Sequence, residues 1–213
     1  IWTAAGSFNV GRVFHTTTLL PNNKVLLAGG YGPSDIYSDC QLYDVTVNTW
    51  SNVSSLAIAR YNHTATLLPT NKVLIAGGTG MPDGTFPMIQ STCELYNITS
   101  TTWATTGSFT LPRDMHKAIL LPINKVLMIG GGIDSSYYSD CQLYDIASGR
   151  WTNTNSMSLG RIFHETTLLL NNKILVTGGV GAGSISSSSC QLYDIGLGYS
   201  TAWQPVISTF PSS

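Results

Sequence analysis

The sequence has few charged residues, few cysteines and no long apolar segment. Charged side chains make up 10% of the 213 residues, and the formal net charge is −1. Binding to a phosphate backbone requires a dense positive surface, so this composition argues against nucleic acid as a partner. The apolar residues are divided among short segments, none near the roughly 18 residues of a transmembrane helix. We therefore predict neither nucleic-acid binding nor a membrane span.

What the sequence does contain is a strict internal repeat. Each copy opens with Arg-x-x-His, continues through an apolar or Thr-rich segment, turns at an Asn-Lys pair and closes on a second apolar segment that ends in Gly-Gly. The four copies contain no insertion or deletion relative to one another, which indicates a modular architecture. They are residues 12–30, 60–78, 113–131 and 161–179.

The turn residues predict that each copy is a β-hairpin. Asn tolerates the positive φ of a tight hairpin turn, and the flanking segments are rich in Leu, Val, Ile and Thr. The lysine after each turn is expected to be solvated rather than to contact a ligand. The turn pairs are Asn22-Asn23, Thr70-Asn71, Ile123-Asn124 and Asn171-Asn172, followed by Lys24, Lys72, Lys125 and Lys173.

A second signature follows each double glycine after a variable loop. It consists of Cys-x-Leu-Tyr, then Asp or Asn, then a spaced Trp. Two further strands bearing these aromatic residues complete a four-stranded antiparallel unit, with Tyr and Trp expected to fill the space between adjacent sheets. The signatures begin at Cys40, Cys93, Cys141 and Cys190, and the tryptophans are Trp50, Trp103, Trp151 and Trp203.

Together the two signatures resemble the kelch motif over nearly the whole chain. The histidines of Arg-x-x-His recur with periods of 48, 53 and 48 residues, close to the about 50 residues of a kelch repeat. The resemblance implies an all-β fold, a β-propeller of four-stranded antiparallel blades. Galactose oxidase-like kelch propellers are a more distant relative. The expected blades are residues 12–53, 60–106, 113–154 and 161–207.

The phase of the repeat predicts an additional strand before the first blade. Trp2 precedes Arg12 by 10 residues, the spacing that separates Trp from Arg in the next three copies. Residues 1–11 are therefore expected to be the outer strand of a preceding blade and its link. Because Trp203 already belongs to the outer strand of the fourth blade, a closed four-bladed ring leaves this strand no place. We expect the chain to be part of a six- or seven-bladed ring.

The four cysteines occupy equivalent positions in successive blades. Such positions lie at least about 10 Å apart, beyond the about 7 Å between Cα atoms that a disulfide tolerates. We predict four reduced, buried thiols that behave as small apolar side chains. No close Cys-x-x-Cys pair exists, so no metal site is predicted.

By the kelch resemblance, the Arg-x-x-His strand is innermost and the Trp strand outermost. The variable loops then surround the channel mouth on the same face as the arginines, where a binding specificity would be encoded. These mouth loops are residues 31–38, 79–91, 133–139 and 180–188. The candidate residues of this ligand-binding face are Arg12, Arg60, Arg113, Arg161, Tyr31, Asp35, Asp83, Phe86, Asp134 and Tyr137.

Two interpretations are open for the recurring arginines. Their guanidinium groups could form an anion or carboxylate site at the channel mouth. A residue present in every blade is more typical of a framework role, in which it bonds backbone carbonyls and fixes each blade to its neighbour. The four histidines pose the same choice between metal ligands and framework side chains. We favour the framework role for both sets.

The sequence favours an extracellular or cell-surface location. Charge is low, Ser, Thr and Asn are abundant, and sequons occur at Asn52, Asn62 and Asn97. Asn52 and Asn97 are the candidate glycosylation sites, because a glycan on Asn62 is expected to collide with the neighbouring blade. The chain starts without a Met or a charged-then-apolar leader, so we expect a processed chain or an excised piece.

We predict a non-enzymatic binding or assembly module that needs no cofactor and uses its channel-mouth face to bind a protein or a glycan. One alternative is a fragment of a galactose oxidase-like copper-radical oxidase, although no His-Tyr or paired-carboxylate constellation stands apart from the repeat. The other is a structural building block whose open blade edges pair between chains, as a homo-oligomer or to complete the ring.

Overall fold

The computed structural model describes residues 1–82 and 84–196, so Trp203 and the outer strand predicted around it lie outside the described residues. Within the described residues, the regular elements are β-strands and one short 3-10 turn. The long strands form one antiparallel sheet for each repeat, paired in chain order. This arrangement confirms the all-β fold built of antiparallel blades.

Blade 1 shows the sheet that the other repeats reproduce. Its first hairpin pairs Thr16 with Ala28, and the second strand of that hairpin then pairs with the Cys-x-Leu-Tyr-Asp strand. The last strand carries Trp50 opposite Tyr43. The four strands are β1 (Thr16–Leu19), β2 (Lys24–Ala28), β3 (Cys40–Asp44) and β4 (Thr49–Val53).

Blade 2 repeats this sheet and adds short strands at the channel mouth. The short strands pair with one another, so that the segment entering the blade is joined to the loop after Gly-Gly. The elements are β5 (Arg60–Tyr61), β6 (Thr64–Leu68), β7 (Lys72–Ala76), β8 (Thr79–Gly80), β9 (Met88–Ile89), β10 (Cys93–Asn97) and β11 (Thr102–Thr106).

Blades 3 and 4 follow the same plan, each with a two-stranded ribbon in its mouth loop. Three strands of the blade 4 sheet lie in the described residues. Blade 3 comprises β12 (Lys117–Leu121), β13 (Lys125–Ile129), β14 (Gly132–Ile133), β15 (Ser136–Tyr137), β16 (Cys141–Asp145) and β17 (Arg150–Thr154). Blade 4 comprises β18 (Glu165–Leu168), β19 (Lys173–Thr177), β20 (Val180–Gly181), the 3-10 turn Ala182–Ser184, β21 (Ile185–Ser186) and β22 (Cys190–Asp194).

The hairpin turns have the predicted geometry. The Asn before each lysine adopts a left-handed φ, which a tight turn requires and Asn tolerates. The φ values are 62° at Asn23, 59° at Asn71, 55° at Asn124 and 61° at Asn172. In three blades the lysine is half-buried against the Asp that ends Cys-x-Leu-Tyr-Asp. These pairs are Lys24–Asp44 (2.9 Å), Lys125–Asp145 (3.6 Å) and Lys173–Asp194 (3.0 Å).

Adjacent blades are joined by apolar layers to which the strands contribute alternate residues. In β7, Val73 and Ile75 face blade 1, whereas Leu74 and Ala76 face blade 3. A strand buried on both faces must be apolar throughout, which explains the uninterrupted apolar segments before Gly-Gly. The described residues form three such layers, between blades 1 and 2, 2 and 3, and 3 and 4, and none of these joins blade 4 to blade 1.

The Tyr and Trp of blades 2 and 3 lie in these layers, as predicted. Tyr96 and Tyr144 are 0% and 1% exposed, and each stacks on the Trp of its own blade with ring centroids 5.0 and 5.1 Å apart. The indole nitrogen reaches the preceding blade, where Trp151 Nε1 donates to the carbonyl of Gly107 at 3.0 Å. The pair therefore packs within its own sheet and bonds to the preceding blade.

No strand forms within residues 1–11, where the outer strand of a preceding blade is predicted, and Trp2 is fully exposed. An outer strand forms by pairing with a Cys-x-Leu-Tyr strand, and the described residues offer none beside this segment. Gly6 occupies the position equivalent to Ser54 and Gly107 in the following links, because its carbonyl accepts a hydrogen bond from Trp50 Nε1 at 2.8 Å. The equivalent bonds in the next blades are Trp103 to Ser54 (2.8 Å) and Trp151 to Gly107 (3.0 Å).

All four cysteines are free thiols, as predicted, but only three are buried. Burial raises the pKa of Cys40 and Cys93 to about 12 and that of Cys141 to about 11, so these thiols stay protonated and unreactive. Cys190 is exposed, contrary to the prediction. The outward face of blade 4 has no further sheet packed on it within the described residues.

Candidate functional site: the channel-mouth face

The inner strands of adjacent blades contact one another around the channel, and the arginines lie at the start of each blade. Their side chains are 0–8% exposed, so they do not form the surface of the mouth. Arg113 is typical: Nη1 donates to the carbonyl of Gly130 at 2.9 Å, and both Nη atoms contact Asp140 at 3.1 and 2.7 Å. These bonds lie within one blade and hold the buried guanidinium group, which favours the framework role over a ligand site at the mouth.

The main chain of three arginines, Arg60, Arg113 and Arg161, joins adjacent blades. The N–H of Arg60 donates to the carbonyl of Tyr37 at 3.2 Å, and its carbonyl accepts from Gly30 N at 2.8 Å. Arg113 and Arg161 make the same pair of bonds to the preceding blade. The framework role is therefore divided, with the side chain bonding its own blade and the backbone bonding the neighbour.

The double glycines are required because the backbone of one blade comes close to the Arg-x-x-His segment of the next blade. Gly77 has φ 61°, and a Cβ there would lie 2.7 Å from the carbonyl oxygen of Arg113 and 2.9 Å from Cε1 of His116. Both neighbours belong to blade 3. The glycine thus lets the backbone of one blade contact the Arg-x-x-His segment of the next.

The histidines of blades 2 and 3 also join neighbouring blades. His63 Nε2 lies 2.9 Å from Thr16 Oγ1, and His116 Nε2 lies 3.0 Å from Thr64 Oγ1. Burial, reinforced by the charge of the adjacent arginine, lowers the pKa of His63 to about 3 and that of His116 well below its usual value. These imidazoles are therefore neutral framework groups.

The residue before each histidine forms a ring around the mouth. All four adopt a left-handed φ, which is strained for Phe and Met. The backbone N–H of Asn62 donates to the carbonyl of Phe14, and that of Met115 donates to Asn62. Phe14 and Phe163 are 56% and 57% exposed. The φ values are 56° (Phe14), 55° (Asn62), 53° (Met115) and 54° (Phe163).

A cleft of about 380 Å³ opens between the mouth loops of blades 2 and 3. Asp114 is 7% exposed there, and its Oδ2 accepts a hydrogen bond from Thr79 Oγ1 at 2.8 Å. Burial raises the pKa of Asp114. Tyr61, Asp134 and Tyr137 complete the walls, so the cleft combines aromatic surface with carboxylates.

The structure brings most of the predicted loop residues to this face. Tyr31 is 45% exposed and lies 5.5 Å from the ring of Tyr61. Phe86 is 76% exposed, and Asp35 and Asp134 lie on exposed loop segments. Tyr137 lines the clefts on both sides of the blade 3 loop. Asp83 lies outside the described residues.

Sequence reasoning missed the ring of Phe14, Asn62, Met115 and Phe163, as well as Tyr61. These residues stand inside Arg-x-x-His, which was interpreted as framework. The variable letters between the invariant Arg and His were the available signal, since a constant framework with a variable insert has the pattern of a recognition surface. The left-handed φ was not visible in the sequence.

The candidate glycosylation sites differ in their surroundings. Asn52 is exposed on β4 and accepts a hydrogen bond from Asn9 Nδ2 at 3.1 Å. Asn97 is half-buried, and its Oδ1 accepts from the N–H groups of Thr99 and Ser100. Asn62 hydrogen-bonds the side chain of Asp114 in the next blade. A glycan on Asn62 would replace that contact, which agrees with the expected collision.

A metal-ligand cluster and a membrane-spanning helix are both absent from the described residues. No group of three or more His, Cys, Asp or Glu side chains there is arranged to hold a metal ion. No helix in the same residues is long and apolar enough to cross a membrane.

The comparison with protein families agrees with this architecture. The model of the KLHDC2/KLHL20/DRC7 kelch-repeats domain matches residues 1–202. The chain belongs to the kelch-repeat family. This kelch domain is a protein-interaction propeller module, and kelch domains generally bind proteins. Among curated proteins, none matched the chain.

Proposed function

We propose that this kelch domain binds a protein partner through its channel-mouth face. The observation that carries the proposal is the concentration of exposed, large apolar side chains in the mouth loops, in the ring and in the segments that enter blades 1 and 4. Such groups on one surface are typical of an interaction site. They are Val13 (52%), Phe14 (56%), Tyr31 (45%), Phe86 (76%), Met88 (55%), Leu159 (56%), Phe163 (57%) and Ile185 (70%).

The charge of this face selects the kind of partner. The mouth loops contain aspartates and no Lys or Arg. Lys117, at the mouth, is paired with Glu165 at 2.8 Å. The arginines are buried beneath the surface. A partner segment with apolar side chains and positive charge would complement this surface.

Selection of displayed random peptides against the immobilised chain tests the proposal. We expect enriched peptides that combine Lys or Arg with apolar residues, and hydrogen exchange should show protection of residues 31–38 and 133–139. The variant Phe163→Ala should weaken the selected peptide at least tenfold, because an exposed aromatic anchor is lost. Leu170→Ala, 49% exposed near the opposite hairpin turn, serves as the matched control.

Other outcomes would contradict the proposal. Protection confined to the outer strands β4, β11 and β17 would favour assembly through blade edges. Binding to a glycan array without any enriched peptide would indicate a carbohydrate ligand. An equal loss of affinity in Leu170→Ala and Phe163→Ala would show that the mouth is not the binding surface.

A further inference from the structure

The arginine pockets of the four blades are not equivalent in charge. In blades 1 and 3, the residue before the Cys is an aspartate that contacts both Nη atoms of the arginine. Arg12 meets Asp39 at 2.8 and 2.9 Å. In blade 2 that position is Thr92, and Glu94 contacts Arg60 Nη2 at 2.9 Å instead. Each of these buried cations therefore has a carboxylate partner.

Blade 4 has no carboxylate at either position, where Ser189 and Gln191 stand instead. Arg161 is 1% exposed. It donates only to neutral oxygens, namely the carbonyls of Gly178 (2.7 Å) and Ser189 (3.0 Å) and the hydroxyl of Ser189 (2.7 Å). Its Nε has no acceptor among the described residues. Residues 195–213 contain no Asp or Glu side chain.

The aromatic cap of the pocket is missing as well. In blades 1 and 3 a tyrosine lies over the guanidinium group, with Tyr37 at 4.5 Å from Arg12 and Tyr138 at 4.8 Å from Arg113. Ser187 takes this position in blade 4. The smaller side chain leaves a cleft of about 420 Å³ between blades 3 and 4, which Arg161 and Ser187 both line.

The groups around this cleft suit an oxyanion. Ser187 Oγ and Ser189 Oγ lie 2.8 Å apart, and Ser189 Oγ accepts from Arg161 Nη2. Tyr137 and Ser184 meet at 3.1 Å across the two loops. A buried charge without a partner is costly, whereas guanidinium and hydroxyl donors together match a carboxylate or phosphate.

We propose that the cleft between blades 3 and 4 binds an anionic group, a carboxylate or a phosphate, which acts as the counter-ion of Arg161. Two serines of blade 4 act together in this respect. Ser189 stands where blades 1 and 3 have the aspartate, so the internal carboxylate is lost, and Ser187 stands where they have the tyrosine, so the cleft reaches the cation. This anion subsite is separate from the ring of Phe14, Asn62, Met115 and Phe163, and the proposal does not rest on protein binding at that ring.

The substitution Ser189→Asp tests the proposal by restoring the carboxylate found in blades 1 and 3. Wild type and variant would be titrated with sodium phosphate and with sodium acetate against sodium chloride at constant ionic strength, with the melting temperature as readout. We expect the anions to stabilise the wild type, and the variant to melt higher without anions and to bind them at least tenfold more weakly. Thr92→Asp is the matched control, because Arg60 already has Glu94.

The two anions distinguish the source of the negative group. Stabilisation by phosphate alone would assign a phosphate ligand, and stabilisation by acetate as well would show that a carboxylate suffices. A wild type that responds to neither anion more than to chloride would overturn the proposal. So would an unchanged anion response in Ser189→Asp, or an equal change of that response in Thr92→Asp.

Discussion

Between blades 2 and 3, Tyr144 and Met128 are 0–1% exposed, whereas Phe14 and Phe163 of the channel-mouth ring are more than half exposed. Both sets belong to the same kelch repeats. In the layer, equivalent positions carry similar residues, because every blade must fit its neighbour. In the ring they are Phe, Asn, Met and Phe, and all four adopt a left-handed φ. This chain therefore divides its repeat into a constant part that joins blades and a variable part that faces outward.

The largest expected effect is on the layer. Replacing Tyr144 by Ala should lower the free energy of unfolding by about 3–5 kcal/mol, since a fully buried aromatic side chain is lost. Urea unfolding followed by tryptophan fluorescence measures it. Tyr144→Phe is the control and should cost only about 1 kcal/mol, because it removes the 2.7 Å bond to Thr106 Oγ1 but keeps the ring. Equal losses in both variants would contradict a packing role.

The next largest effect is expected from acid, which should weaken the packing of the buried histidines between blades. The folded-state pKa values of His63 (about 3) and His164 (about 4) lie below the value of 6.5 for a free His. The unfolded chain therefore binds more protons between these limits, and stability is lost as the pH falls from about 6.5 towards 3. The loss is at most about 1.4 kcal/mol per pH unit for each histidine.

Urea midpoints at pH 7, 5 and 4 test this dependence. Replacing His63 by Gln should reduce the slope with pH, because one titrating group is removed while a polar side chain stays. A midpoint that rises on acidification, or an unchanged slope in that variant, would contradict the neutral framework role.

A smaller effect is expected at the contact between blades. Gly77→Ala places a Cβ at φ 61° and within 3 Å of blade 3, and should cost more than the about 1–2 kcal/mol of the left-handed conformation alone. Gly84 has φ 74° with open space around it, so Gly84→Ala carries only the conformational part. Thermal unfolding of both variants separates the two contributions, and equal losses would show that the contact with blade 3 is loose.

The smallest effect on stability is expected at the ring. Phe163→Asn keeps a side chain that tolerates a left-handed φ and removes only exposed apolar surface, so unfolding should change by less than about 0.5 kcal/mol. Binding of a selected peptide should nevertheless fall at least tenfold. Destabilisation comparable to that of Tyr144→Ala would place Phe163 in the framework and erase the distinction between layer and ring.

Several features of the fold could be predicted because they depend on local chemistry. Asn23 predicts its turn through the φ that Asn tolerates, and the spacing of Tyr96 and Trp103 predicts a pair of adjacent strands. Features that depend on the neighbouring blade could not be predicted in this way. Cys190 begins the same Cys-Gln-Leu-Tyr-Asp strand as Cys141 but is exposed, because burial depends on a neighbouring sheet.

The candidate site was predicted only in part for the same reason. Tyr31, Phe86 and Tyr137 were predicted because variable loops between constant strands indicate recognition. The sequence did not decide between an anion site and a framework role for the arginines, since a sequence does not show whether a guanidinium group meets solvent or a carboxylate 27 residues away, as Arg113 meets Asp140. Phe163 was missed because its exposure depends on a backbone conformation set by the packed ring.

The sequence by itself determined the blade, because turn residues, strand alternation and aromatic spacing act within about 50 residues. Only the tertiary structure decided which repeated side chains are enclosed and which are presented. Enclosure of the layer residues depends on the backbone of the next blade approaching closely enough to require Gly77. That approach is a property of packed sheets rather than of any single segment.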